Sequence, residues 1–216
     1  MFTRRSSTVT LRKEFPANPG LQAAKIADSK GFHLGLKLRK GQNSLALKGV
    51  LMRLADSILM EMDQEAQTTK RVLERVPGDK LTWKPHAKSF SLGQLALHIA
   101  SVPASVTAAA VPDSFEAPGF SQAEPRNRQE VLDTFSQSLT SAKETLAKMD
   151  DARLVSMWSL TRNGKTLMSI PRIAFLRSIL MNHLYHHRGQ LSVYLRMLEV
   201  PVPSIYGPSA DENPFA

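Results

Sequence analysis

The sequence predicts an all-α protein in which four long helices pack as a bundle, and three observations carry that prediction. Apolar residues recur at steps of three and four through four long segments, the period of helices that bury one face. The segments end at helix-breaking or capping signals. Only one stretch, between the third and fourth helices, alternates as strands do.

The first helix is expected from about Ala46 to Val76, with Leu51, Leu54, Ile58, Leu59, Met62, Ala66 and Val72 on its apolar stripe and Pro77-Gly78-Asp79 as its stop. Ser91 is a natural N-cap for the second, which carries Leu92, Leu95, His98, Ile99 and Val102 inward and is expected to fade after Pro103. A Pro/Gly-rich loop from Pro112 to Pro125 precedes the third helix, about Arg126 to Met149, with Val131, Leu132, Phe135, Leu139, Ala142 and Leu146 inward. Ser156 to Met168 then predicts two short strands around an Asn163-Gly164 turn. Pro171 opens the fourth helix at a first-turn position, and the helix ends near Val200-Pro201. The Pro-rich tail is expected to fold back over the bundle end.

Charge divides the chain. Its net charge is +9, yet residues 1–48 hold ten Lys or Arg against Glu14 and Asp28, which is +8 of that total. Residues 1–45 therefore predict a disordered basic extension, and 46–212 the bundle domain. One reading of the extension is a start codon placed too far upstream, with translation beginning at Met52. A tryptic peptide from residues 14–25 in the native organism would overturn it. Nucleic-acid binding through the extension ranks last among the functions considered, and none is expected for the nearly neutral bundle. The uncharged stretch Ser89–Val111 is long enough to span a bilayer but holds Pro103, His98 and few large aliphatics, so no membrane partner is expected. No secretory apolar region follows the early arginines, and there is no cysteine. A cytoplasmic location is expected, and disulfides, thiolate ligands and a cysteine nucleophile are excluded.

The chemistry concentrates in His183-Leu184-Tyr185-His186-His187-Arg188-Gly189-Gln190. His183 and His187, at i and i+4, share one helix face, so their imidazoles can share a cation. Leu176, Leu180, His183, His187, Leu191, Tyr194 and Leu198 place both on the expected buried seam, and His98 falls on the seam of the second helix. Three seam histidines on two helices predict one shared divalent metal, with His98 as third ligand. The pair His183/His186 is geometrically allowed, but His186 lies about 100° from His187. His33 and His86 read as surface residues. Gln190, and with it Tyr185 and Asn182, could orient the ligand rings by hydrogen bonds. Arg188 could attract an anion or solvate the helix, the second being commoner. Glu61, Asp63 and Glu199 are the carboxylates that could serve as a base.

Four blocks in order and spacing, Leu81-Thr82-Trp83-Lys84-Pro85-His86, Ser91 to Ile99, His183 to Gln190 and Val202 to Glu212, resemble the DinB (DinB/YfiT-like) family over residues 50–212. The resemblance implies an up-down-down-up bundle with a divalent metal at one end. It carries the family's first ligand onto His98 and its His-x-x-x-His pair onto His183 and His187. It also implies homodimers, and relatives that include metal-dependent thiol S-transferases and a thiol-dependent isomerase.

An open three-imidazole site leans catalytic, since structural zinc is usually closed by four protein ligands. Zinc or nickel suits such donors, with iron or manganese also compatible. The expectation is a metal-dependent thiol S-transferase or hydrolase acting on small electrophilic or detoxification substrates, with a low-molecular-weight thiol as the partner of the first reaction. The alternative is a non-catalytic metal-binding stress-response protein.

Overall fold

Helix capping sets the frame of the computed structural model, which describes residues 52–119 and 121–216. Helix α1 spans Leu54–Glu74; Asp56 accepts the Arg53 backbone N–H at 3.0 Å, and Asp151 Oδ1 accepts the Leu54 N–H at 2.8 Å. Helix α2, Leu92–Ala109, starts from a reciprocal capping box between Ser91 and Gln94, each accepting the other's backbone N–H at 3.0 Å. Helix α3, Arg128–Ala147, is capped by Asn127, and Asp150 caps the short α4, Asp151–Val155. The last helical region comprises α5 (Arg172–Phe175), a π-helical stretch Leu176–Asn182, and α6 (His183–Met197). The basic extension and the expected start of the first helix lie outside the described residues.

Contacts between helix ends fix the order of directions. Arg53 donates to the Ala147 carbonyl and Arg128 to the Glu74 carbonyl, so α1 and α3 are antiparallel. Ser91 and Gly93 at the start of α2 meet Glu124 and Pro125, just before α3, so α2 and α3 run in parallel. A Cβ on Gly93 would come within 2.9 Å of Pro125, which explains glycine at this close approach. Arg172 reaches the carbonyl of Ala110 and Tyr194 that of Phe90, so the last helix is antiparallel to α2. The bundle is up-down-down-up.

Helix α2 ends after Pro103 as expected, at Ala109, and runs through the proline without a break. Proline removes a backbone donor and opens the ladder around it. Ser138 of α3 fills the gap, accepting from the Ala104 N–H at 2.8 Å and donating to the Ser101 carbonyl at 3.3 Å. This helix has the length and apolarity of a membrane span, but 61% of it is buried inside the bundle.

Strands β2 (Met157–Arg162) and β3 (Lys165–Pro171) form the expected hairpin, with φ of +50° at Asn163 and +72° at Gly164, the conformation of a type I′ turn. A third strand, β1 (Ser114–Glu116), pairs parallel with β2 from within the loop between α2 and α3. Three residues among prolines are too short to show a strand period. Pro171 sits at the N-cap rather than inside the first turn. The tail does pack back, with Arg71 donating to the Ser204 carbonyl at 2.7 Å and Arg75 pairing with Glu212 at 2.8 Å.

The last helix ends in a Schellman turn, with Val200 N–H on the Leu195 carbonyl and Glu199 N–H on that of Arg196. Glu199 occupies its left-handed position at φ +57°, where a Cβ is unfavourable. Glu199→Gly is expected to stabilise the fold by about 1 kcal/mol, measured as a higher midpoint in thermal or denaturant unfolding.

Candidate metal centre

The π-helical stretch before His183 changes what the helical period alone implies. Its wider turn shifts the seam, so the fully buried line beyond it runs through Leu184, Arg188, Leu191 and Leu195. His183 and His187 are therefore half-buried beside the seam rather than on it, as is His98 beside Leu95 and Ile99. This position leaves three imidazoles together with one side toward solvent.

One ring nitrogen from each of His98, His183 and His187 lies within 4.8 Å of the other two. The Nε2 atoms of His98 and His183 are 3.5 Å apart, and those of His183 and His187 are 2.7 Å apart. The rings stand edge-on to one another, at 74° to 88°, instead of stacking. Metal–nitrogen bonds of about 2.0–2.1 Å at tetrahedral angles hold two nitrogens roughly 3.3 Å apart. The first pair is near that spacing, and the second would open slightly.

Two glutamines determine which nitrogen of each ring faces inward. Gln122 Oε1 lies 3.2 Å from His98 Nδ1, and Gln190 Oε1 lies 2.7 Å from His187 Nδ1. An amide oxygen can only accept, so these contacts are hydrogen bonds in the tautomer with the proton on Nδ1, which leaves both Nε2 atoms with lone pairs. His183 Nδ1 is buried without a hydrogen bond; burial lowers this ring's pKa, and the Ile179 carbonyl one turn back opposes that fall only in part, since it falls short of bonding geometry. In that tautomer of His187, the 2.7 Å contact is a hydrogen bond when His183 carries its proton on Nε2. Moving that proton to Nδ1, towards Ile179, frees the third lone pair. The donor set fits a divalent ion.

Gln122 was not legible in the sequence. It comes from the Pro/Gly-rich loop and is positioned by Gln94, whose Nε2 donates to its carbonyl at 3.1 Å. Tyr185 turns away from the rings, and its hydroxyl donates to Glu61 Oε1 at 2.7 Å. Burial first, then this bond to a carboxylate, pushes its pKa well above the ordinary phenol value. His186 and His86 are exposed. Arg188 has neither role considered for it: only 1% of its side chain is accessible, and it pairs with Glu65 at 2.7 Å.

Burial lowers the pKa of all three triad histidines, and neighbouring imidazoles lower them further, against opposing hydrogen bonds. The unfolded chain, with histidines near about 6.5, then binds more protons than the folded apoprotein below that pH. Apoprotein stability should be fully present above about pH 6.5 and fall as pH drops towards the lower folded values. Thermal melts of chelator-treated protein at pH 7.5 and 5.5 should show the lower midpoint at 5.5. The carboxylates whose pKa values are held down titrate below this window.

The DinB family model matches residues 51–213. The chain belongs to the DinB family. Among its DinB-like relatives of solved structure, one from Bacillus cereus ATCC 10987 superposes with a TM-score of 0.54 at 25% identity, covering 70% of this chain and 97% of the other. YjoA of Bacillus subtilis has the same TM-score at 15% identity, over 69% and 96%, a likeness of fold alone. The uncharacterized protein YrdA of Bacillus subtilis strain 168 is 25% identical over 167 residues, 75% of this chain and 93% of YrdA.

Proposed function

We propose that this DinB-family protein is a divalent-metal-dependent enzyme that transfers a low-molecular-weight thiol to a small electrophile, with hydrolysis as the competing reaction at the same site. The observation that carries the reading is the pairing of His98 with Gln122 and His187 with Gln190, which points imidazole lone pairs at a common centre. His98, His183 and His187 would hold the ion, and three neutral ligands leave room for a substrate group. Imidazole donors suit zinc or nickel. When bound, the ion supplies Lewis acidity, lowering the pKa of a thiol or water that reaches it.

The surroundings favour the thiol branch. Glu61 is engaged by Arg177 and Tyr185, Asp63 by Lys143, and Glu199 caps the far end of the last helix. None of these three carboxylates is available to take a proton from water at the triad. A thiol ionised at the site gives its proton to solvent, and its sulfur forms the bond to carbon as the leaving group departs with its electron pair. Gln122 and Gln190 keep the rings turned inward throughout, and the Phe90 ring beside His98, centroids 5.9 Å apart, shields one flank.

The test is turnover of a thiol with 1-chloro-2,4-dinitrobenzene by zinc- or nickel-loaded protein. Metal-dependent conjugation that disappears in His98→Ala supports thiol transfer. Metal bound without turnover of this or an ester panel would put the non-catalytic metal-binding reading in its place.

A further inference from the structure

A cavity of about 280 Å³ lies between the second half of α2, the small sheet and the start of the last helical region. Its sheet wall is built by register. Leu160 of β2 is the cross-strand partner of both Phe115 on β1 and Met168 on β3, so the three side chains form one row, with Trp158 two residues before Leu160 on the same face. Trp158 is fully buried and immobilised, its indole N–H donating to the Ala109 carbonyl at 2.9 Å and its ring stacked on Phe175 at 3.8 Å. Phe115, Leu160 and Met168 are only half-buried. They line the cavity together with the fixed Trp158. Among the residues lining it, only Ser105 and Trp158 carry a polar side-chain group, and the Trp158 N–H is already taken by Ala109.

The cavity and the three histidines lie along the same two helical regions. Ile179 lines it and is one turn before His183, about 6 Å along the axis; Ser105 lines it two turns beyond His98, about 10 Å along α2. Because α2 and the last helix are antiparallel, both offsets run towards the same end of the bundle. We propose that this cavity binds an uncharged aryl or short alkyl arm of the substrate, placing the electrophilic carbon at the other end of the molecule beside the triad. The assignment rests on the metalloenzyme reading for what happens at that carbon, but not for binding of the arm. A cavity of about 150 Å³ accommodates benzene, so this one takes a substituted ring. A charged group would lose its hydration here and find no ionic partner. Sheet residues Leu160 and Met168 thereby set specificity, and they do so on an element apart from the ligand-bearing helices.

The test uses 4-fluorotoluene as the probe, followed by fluorine NMR with the full chain, zinc-loaded, cobalt-loaded and metal-free. Saturable broadening with zinc-loaded and metal-free protein is expected, with further broadening or shift when paramagnetic cobalt occupies the triad. Leu160→Trp and Met168→Trp, each checked for folding by circular dichroism and for metal content, should weaken probe binding about tenfold or more by filling the space. Metal binding without probe binding, or probe binding unchanged in both folded tryptophan variants, overturns the cavity assignment. Probe binding with no cobalt effect in cobalt-loaded protein overturns its connection to the triad. Probe binding in a protein that takes up no metal supports the apolar cavity while removing the metalloenzyme reading.

Discussion

Arg188→Met should destabilise the protein by about 3–5 kcal/mol, because it leaves a buried carboxylate without its cation. Arg188 Nη2 lies 2.7 Å from Glu65 Oε2, and Nη1 donates to Thr69 Oγ1 at 3.0 Å and to the Glu65 carbonyl at 3.3 Å. Its guanidinium also sits over the rings of Tyr185 and Tyr206, 5.3 and 5.0 Å from their centroids, and Tyr206 O–H donates to Glu65 at 3.0 Å. One side chain thus joins α1, α6 and the tail. Lysine restores the charge but not the planar fork, so Arg188→Lys should recover only part of the loss. Urea unfolding of Arg188→Met, Glu65→Gln and the double variant checks this. The double variant should be less damaged than the sum of the singles, and strict additivity would mean that the pair is not coupled.

The second large effect concerns the glutamines. Gln122→Leu and Gln190→Leu should each weaken metal binding by about 10–100-fold while leaving the three histidines in place. Each removes the acceptor that keeps a proton on Nδ1, so the ring can protonate Nε2 instead and lose its inward lone pair. The loss should come with little change in apoprotein stability, since both amides are near the surface. Competition titration against a chromogenic chelator reads the affinities directly. Equal affinities across wild type and both variants would show that ring orientation is fixed by packing rather than by these bonds.

The residues make clear what a linear reading can reach. The capping signal at Ser91 and the Asn163-Gly164 turn are local, and both appear where the sequence places them; the helical stripes do so only in part, since Leu54 is exposed and the last helix buries a different line. The histidine cluster was legible because two members share one helix face and the third interrupts an apolar pattern. Gln190 was legible for the same reason, standing three residues from His187. Gln122 was not, because its role depends on a loop crossing the start of α2. The continuation of α2 past Pro103 depends on Ser138, a residue 35 positions away, and local propensity carries no trace of it. Arg188 could have been recognised: it occupies the line Leu184, Leu191, Leu195, where a charge implies a buried partner. The π-helical stretch concealed that line by displacing it from the regular helical period.

His98, His183 and His187 are expected to hold one divalent ion together. Metal content by elemental mass spectrometry on untagged protein, with wild type beside His98→Ala and His187→Ala, tests it most directly. Near-stoichiometric zinc or nickel in the wild type, and its loss in both folded variants, is the expected result. No metal in the wild type after reconstitution, or metal retained in both variants, would contradict it and leave the three histidines as packing residues.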